Sequence, residues 1–173
     1  SNTNDSLMLT IIVGIINLSF TVLAIFTVDR FGRKPLQIVG ALGMALFMFM
    51  LGFSFFFGKL GVIAMVSMLG YVACFAFSWG PITWVLLSEL FPNKIRGGAM
   101  AIAVAAQWIA NLVISWTFPI MNSSTELTRL FNHGFAYWIY GFMGLLAAWF
   151  VWKMVPETKG KTLEQIEKLW LKK

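Results

Sequence analysis

The chain has 173 residues, of which 59% are hydrophobic and only 12% are charged. Water-soluble domains carry about 25% charged residues, so this composition excludes an ordinary soluble domain and predicts a protein embedded in lipid. The net charge is +6, with 13 Lys and Arg against 7 Asp and Glu. Because the basic residues lie between long apolar runs, they indicate membrane topology and no nucleic-acid partner. With one Cys and one His, we expect no intrachain disulfide, no metal site and no cofactor.

Five apolar segments are each long enough to cross the roughly 30 Å hydrocarbon core of a bilayer as a helix. They are predicted at Leu7–Val28, Leu36–Phe57, Gly61–Leu87, Gly97–Met121 and Gly134–Val155. The connecting segments are short, so we expect an all-α membrane protein with one compact bundle over residues 1–155. Residues 156–173 then form a tail in which Thr162 and Gln165 have the spacing of a capping box. This tail is predicted to form a short amphipathic helix on the cytoplasmic surface.

The basic residues are unevenly distributed between the two ends of this predicted bundle. Eleven of the thirteen fall at one end, namely Arg30, Arg33, Lys34, Lys94, Arg96, Lys153, Lys159, Lys161, Lys168, Lys172 and Lys173. The positive-inside rule makes this end cytoplasmic and places the N-terminus of the chain on the extracellular or periplasmic side. We therefore expect a multi-pass protein of the inner (plasma) membrane. An outward N-terminus without a visible signal peptide also predicts further sequence upstream.

Gln107 and Trp108 are adjacent in the fourth predicted span, and Asn111 follows one turn later. An amide donates and accepts hydrogen bonds as sugar hydroxyls do, and an indole face covers the apolar side of a sugar ring. From the residues alone, a polyol site and ordinary helix packing are equally good interpretations of this group. Asn17 in the first span is explained more simply by a hydrogen bond between helices.

The third predicted span contains Gly80-Pro81, which should bend the helix, with Trp84 one turn after Gly80. No Asp, Lys, Arg or His lies deep within any of the five spans. If transport is coupled to protons, the coupling acid must therefore belong to another part of the protein.

Charged residues of both signs recur at the predicted cytoplasmic end. We expect the acids to join arginines in an ion-pair network that holds helix ends together, formed by Asp29, Arg33, Glu89, Arg96 and Glu157. The alternative is that the basic residues only set topology, and we keep that interpretation for Lys34, Lys94 and Lys153.

Three motifs in this sequence resemble signatures of one family. DRFGRKP (29–35) resembles the D-x-x-G-R-R/K signature of major facilitator transporters. SELFPNKIRG (88–97) and PETKGKTLEQIE (156–167) resemble two signatures of the sugar porter family within that superfamily. The similarity runs from end to end and is strongest to bacterial D-xylose–proton symporters.

The resemblance implies a carrier of twelve helices in two halves, whose eighth to twelfth helices match these five spans. The N-terminal half and the seventh helix, which complete the sugar site and the proton path, would lie outside this chain. The implied function is sugar–proton symport by alternating access, with D-xylose or a D-glucose-like monosaccharide as substrate, protons as the co-transported ion and the lipid bilayer as surroundings.

The resemblance also implies roles for individual residues. Substrate binding is implied for Trp84, which packs over the sugar, and for Gln107, Trp108, Gly80, Asn17, Asn111 and Phe75. A hinge is implied at Gly80 and Pro81. The charged residues match the family's cytoplasmic network that stabilises the outward-facing state, and these are Arg33, Glu89, Arg96, Asp29 and Glu157.

Two other interpretations stay open. The chain could belong to a sugar sensor of the same fold, although such proteins usually carry a long cytoplasmic tail. It could also be an inactive fragment. A membrane-embedded enzyme is not expected, because it would need clustered His, Asp or Cys residues near the membrane surface.

Overall fold

The computed structural model describes residues 3–161 and 165–166, with side chains from residue 7 onward. Within these residues all regular structure is helical, in the order α1 (Thr3–Phe31), α2 (Arg33–Phe56), α3 (Val62–Phe77), α4 (Trp79–Leu90), α5 (Arg96–Ser123), α6 (Thr125–Phe131) and α7 (Phe135–Met154). Five stretches of this part are long and apolar enough to cross a membrane, at Leu7–Phe31, Arg33–Phe56, Val62–Leu90, Arg96–Ser123 and Phe135–Met154. The predicted all-helical class and five spans are therefore confirmed.

Helix α2 is the centre of the bundle, and its most extensive contacts are with α7 and α3. Small residues let these helices approach closely. A Cβ atom on Gly134 would lie 2.5 Å from the carbonyl oxygen of Gly52, and one on Gly144 would lie 3.1 Å from the Cβ of Ala45. Helix α5 packs much more loosely and has no buried residue. The structure thus combines a tight α2–α3–α7 unit with a helix that is largely open on its sides.

The third span is divided into α3 and α4 by a break at Ser78. Pro81 has no N–H to donate to the Phe77 carbonyl, and its ring would clash with that carbonyl in a continuous helix. The helix therefore ends at Phe77 and restarts at Trp79. This places Gly80 and Pro81 in the first turn of α4, where proline is tolerated. The break thus lies two residues before the predicted Gly80-Pro81 bend.

Ser78 satisfies the backbone groups that this break leaves open. Its N–H donates to the Phe75 carbonyl at 3.2 Å, and its hydroxyl donates to the Cys74 carbonyl at 2.6 Å. The Ser78 side chain is fully buried against α2, where a Cβ atom on Gly40 would overlap the Ser78 hydroxyl oxygen. Glycine at position 40 is therefore required for α2 to accommodate the break.

Replacing Gly40 with alanine should destabilise the bundle by about 1–3 kcal/mol, the usual cost of overpacking a tight contact. Thermal unfolding of the purified chain in detergent measures the change. Gly14→Ala is the matched control, because no atom lies within 4 Å of the Cβ position on Gly14. That control should be neutral or slightly stabilising, since alanine favours helix over glycine. Equal melting temperatures for the two variants would contradict the packing role of Gly40.

The connection between the fourth and fifth spans contains the short helix α6. Glu126 lies in its first turn and Arg129 in its last turn, as the helix dipole favours. Asn132 ends α6 in the left-handed conformation, and its amide donates to the Phe55 carbonyl at 2.9 Å at the end of α2. These terminal signals were present in the sequence, although the helix is too short to show apolar periodicity.

The predicted amphipathic tail helix lies mostly outside the described residues, which exclude 162–164 and 167–173. Gln165 and Ile166 are described, and both are helical. Ile166 is 2% exposed, so its side chain is buried. The amphipathic helix itself stays a prediction.

Candidate functional site

A cavity of about 230 Å³ lies where the end of α3, the start of α4 and the middle of α5 meet. It is lined by Phe75, Trp79, Gly80, Thr83, Trp84, Leu87, Ala103 and Gln107. Four of the seven predicted binding residues are therefore brought together. Pockets for drug-sized ligands are typically about 300–1,000 Å³, so this cavity suits a smaller molecule.

The helix break explains why residues from α3 and α4 face one space. In a continuous helix, Phe75 and Gly80 would point in different directions, since they are five residues apart. With the break at Ser78, the Phe75 ring lies 3.4 Å from the Cβ position of Gly80. Trp84 lies one turn further along α4, and Gln107 approaches from α5.

The chemistry of the lining is that of a site for a hydroxylated ring. The Gln107 amide can donate and accept hydrogen bonds, and the Thr83 hydroxyl can do the same. Trp79 and Trp84 add indole faces that can cover C–H groups. Phe75 and Trp84 are 42% and 40% exposed, and both line the cavity.

Three predicted binding residues lie away from this cavity. Asn17 is exposed on α1, and Asn111 is exposed on α5. Trp108 is 68% exposed on α5, although it is next to Gln107 in sequence. Successive helical residues point about 100° apart, so Gln107 and Trp108 face different directions. Their roles in binding stay predictions.

Trp79 and Thr83 also line the cavity, although neither is among the predicted binding residues. Their spacing could have predicted this, since Trp79 and Thr83 are one turn apart on the face of α4 that also holds Gly80. A polar Thr83 directly before Trp84 in an apolar span could have been noted. The side of α4 that faces α5 depends on the break, and the sequence alone placed that break two residues too late.

A second, larger cavity of about 550 Å³ adjoins the first and shares Phe75 and Trp79 with it. Its other lining residues are almost all apolar or aromatic, namely Met44, Met48, Tyr71, Ile114, Phe118, Tyr137, Tyr140, Met143, Gly144 and Ala147. It offers phenol groups but no amide or carboxylate. A sugar has hydroxyl groups on most carbon atoms and would leave many of them unpaired there. The smaller cavity is therefore the better candidate despite its size.

Four charged residues and one threonine, from four segments, meet at the basic end of the bundle. We call this group the rim cluster (Asp29, Arg33, Glu89, Glu157 and Thr158). The Arg33 guanidinium contacts Glu89 at 3.0 Å and Asp29 at 3.1 Å. The Thr158 hydroxyl donates to the other oxygen of the Glu89 carboxylate at 2.5 Å. Since Glu89 accepts from both partners, it connects α2, α4 and the segment after α7.

Glu157 contributes to the rim cluster through backbone groups instead of an arginine. Its carboxylate accepts hydrogen bonds from the N–H groups of Arg33 at 3.1 Å and Lys34 at 3.0 Å, the first two residues of α2. It also accepts from the N–H groups of Thr158 at 3.0 Å and Lys159 at 2.9 Å. An anion at a helix N-terminus is favoured by both the open N–H groups and the helix dipole. Glu157 thus caps α2.

Gly32 is what allows Glu157 to reach this position. It joins α1 to α2 with a φ of 95°, which side chains rarely permit. A Cβ atom there would lie 2.8 Å from a Glu157 carboxylate oxygen. The seven-residue motif 29–35 is therefore helical except for this one glycine.

Arg96 lies apart from the carboxylates of the rim cluster. Its side chain donates instead to the Phe91 carbonyl at 3.3 Å, within the loop that joins α4 to α5. This bond connects the start of α5 to the end of α4. The predicted membership of Arg96 in the ion-pair network stays a prediction.

A bundle of five spans with a polar and aromatic cavity beside a broken helix has the architecture of a membrane carrier. Residues 2–170 match the family described as Sugar (and other) transporter, and the chain belongs to this family. Over 170 residues it is 65% identical to the D-xylose-proton symporter of Escherichia coli K12, covering 98% of this chain and 35% of that relative. It is 48% identical to the glucose facilitated diffusion protein of Zymomonas mobilis, covering 96% of this chain and 35% of that relative.

Solved structures give the same result. The proton:xylose symporter XylE bound to 6-bromo-6-deoxy-D-glucose matches with a TM-score of 0.90 at 65% identity, over 98% of this chain and 36% of that one. An inward-open conformation of XylE from E. coli matches with a TM-score of 0.86 at 66% identity, over 96% of this chain and 36% of that one. The fold is therefore that of the major facilitator superfamily. The chain spans about a third of the length of the relatives it matches.

Proposed function

We propose that this chain forms part of a carrier that moves a monosaccharide across the membrane, with D-xylose or a related pentose or hexose as substrate. The observation that carries this proposal is the cavity at the helix break, which places the Trp84 indole and the Gln107 amide on one small space. Family membership supports it, because relatives that share 65%, 48% and 42% identity are named for transport of xylose, glucose and arabinose.

The mechanism we infer is alternating access, in which the two halves of a carrier rock about a central site. Two features of this chain fit that motion. The break at Ser78 lets α3 and α4 change their relative angle without breaking a continuous row of backbone hydrogen bonds. The rim cluster ties α1, α2, α4 and the segment after α7 together at one end, so it must rearrange before that end can open.

We further propose that the basic end of the bundle is cytoplasmic, in an inner (plasma) membrane. The distribution of Lys and Arg supports this orientation. Residues 1–155 would then form the membrane bundle and residues 156–173 a cytoplasmic tail. Proton coupling would depend on acids outside this chain, because the five spans hold none at membrane depth.

The site is tested in a chimera in which this chain replaces the matching segment of the E. coli D-xylose–proton symporter. Trp84→Ala and Gln107→Ala should each reduce D-xylose binding by at least about tenfold, since each removes stacking or a hydrogen-bonded group from the sugar. Sugar-quenched tryptophan fluorescence and uptake of radiolabelled D-xylose in vesicles measure the two steps separately.

Trp152→Ala on α7 is the matched control, because Trp152 is 63% exposed and lines neither of the two cavities. It should leave affinity and uptake unchanged. Unaltered D-xylose affinity in both the Trp84 and Gln107 variants would show that the sugar binds elsewhere. Normal binding without uptake in the unsubstituted chimera would instead favour a sugar-binding protein that does not transport.

A further inference from the structure

A polar contact lies directly behind the candidate site, between α2 and α4. The Gln37 side-chain amide donates to the Thr83 hydroxyl oxygen at 3.2 Å, and the Trp79 indole N–H donates to the Gln37 carbonyl at 2.9 Å. Thr83 and Trp79 both line the cavity, whereas Gln37 does not. One residue of α2 therefore contacts two side chains of the cavity wall from the rear.

The burial of Gln37 makes this contact unusual. Gln37 is 2% exposed, and its amide oxygen has no hydrogen-bond partner among the described residues. A buried amide with an unpaired oxygen costs free energy, and the neighbouring face of α2 is built from Leu36, Gly40 and Ala41. An apolar residue would pack there without that cost. The amide is therefore better explained by what it does to Thr83 than by packing.

The direction of the hydrogen bond determines what Thr83 can offer to a ligand. An amide nitrogen can only donate, so the Thr83 oxygen accepts and its own proton remains free. Other hydroxyls in these helices donate to a backbone carbonyl three or four residues earlier, as for Ser67, Ser78 and Ser88. Among the described residues, Thr83 has no such acceptor. Its proton is thus available on the cavity side.

We propose that the Thr83 hydroxyl donates a hydrogen bond to one hydroxyl oxygen of the bound monosaccharide, and that Gln37 is the positioning residue that holds Thr83 for it. This inference rests on the proposed sugar site and assigns two residues to it. Thr83 then contributes to specificity, because a donor with a fixed direction favours sugars that have a hydroxyl at one ring position over sugars that lack it. Gln37 acts only through Thr83 and does not touch the sugar.

The test uses the same chimera and compares D-xylose with its 2-, 3- and 4-deoxy analogues. Each deoxy sugar lacks one hydroxyl and should bind more weakly if that hydroxyl is hydrogen-bonded. A residue is the partner of that hydroxyl if substituting the residue abolishes the extra loss of affinity. With threonine at position 83, one analogue should bind about 5- to 10-fold more weakly than D-xylose because of the lost bond. Thr83→Val keeps the shape of the side chain but removes its hydroxyl. In this variant the affinity for D-xylose should fall by the same factor, and the affinity for that analogue should fall no further.

Two further variants separate the roles of Thr83 and Gln37. Thr83→Ser retains the hydroxyl and should retain the penalty for that analogue. Gln37→Met removes the amide at similar volume and should reduce the penalty to about 2- to 3-fold, because an unheld hydroxyl can still rotate toward the sugar. A merely structural role for Gln37 would weaken all four sugars equally and leave their ratios unchanged.

The result that overturns the proposal is a Thr83→Val chimera with the same relative affinities for all four sugars as the unsubstituted chimera. If Thr83→Val does not fold, Thr83→Ala gives the same comparison with a smaller side chain. Failure of this inference is distinguishable from failure of the site. When Trp84→Ala and Gln107→Ala lose binding but Thr83→Val keeps every ratio, only the role of Thr83 is wrong.

Discussion

Glu89→Ala in the chimera is expected to shift the carrier toward states that are open at the basic end. The substitution removes the acceptor of both the Arg33 guanidinium and the Thr158 hydroxyl. A hydrogen bond to a charged group contributes about 1.5–3 kcal/mol, and a tenfold change in an equilibrium constant corresponds to about 1.4 kcal/mol. We therefore expect the ratio of open to closed states at this end to rise by about 10- to 100-fold.

Labelling of a cysteine introduced at the basic end, compared with one introduced at the opposite end, measures this shift. Asp29→Ala is the matched control, because Asp29 also contacts Arg33 but its side chain is 79% exposed. An exposed ion pair contributes at most about 1 kcal/mol, so the control should change labelling only slightly. Equal labelling in the Glu89 and Asp29 variants would show that Glu89 does not close this end.

Glu157→Ala is expected to destabilise the protein by removing the cap of α2. It leaves the first two N–H groups of α2 and two N–H groups of its own turn without their acceptor. Loss of an N-terminal cap costs about 0.5–2 kcal/mol, and loss of the anion at the helix N-terminus adds about 0.3–2 kcal/mol. Together these predict a loss of about 1–4 kcal/mol, measured by thermal unfolding of the chimera in detergent.

Glu157→Gln separates the two contributions, because glutamine keeps one acceptor oxygen but not the charge. Its melting temperature should lie between those of the unsubstituted and alanine forms. Glu126→Ala is the control, since Glu126 also lies in the first turn of a helix but its side chain is exposed. The control should change stability by only a few tenths of a kcal/mol. A Glu157→Ala chimera as stable as this control would contradict the capping role.

The sequence predicted the membrane spans well because their signal is local. The lipid around a helix requires about 20 consecutive apolar residues, whichever helices lie next to it. The predicted position of the helix break was two residues too late, because that position depends on contacts between helices. Gly80-Pro81 marks the disturbance correctly, but the position where the backbone opens depends on the Phe77 carbonyl one turn earlier and on the space that Gly40 provides in α2.

The candidate site was predicted only in part, because its membership depends on which faces of α4 and α5 meet. Trp84 and Gln107 carry a chemical signal that can be interpreted in isolation. The proposed role of Thr83 depends on its hydrogen bond with Gln37, which is 46 residues away in the chain. Glu157 was expected to bond an arginine side chain, whereas the donors to its carboxylate are backbone N–H groups that no side-chain pattern reveals.

The cap on α2 also bears on the order in which the protein is made. Glu157 is 124 residues after Arg33, and all five membrane spans of this chain are synthesised before it. Until Glu157 is made, the N–H groups of Arg33 and Lys34 lack this carboxylate acceptor. The rim cluster can form completely only once the Pro156–Lys159 segment has left the ribosome. The second span of this chain thus receives its cap only after the fifth span has been made.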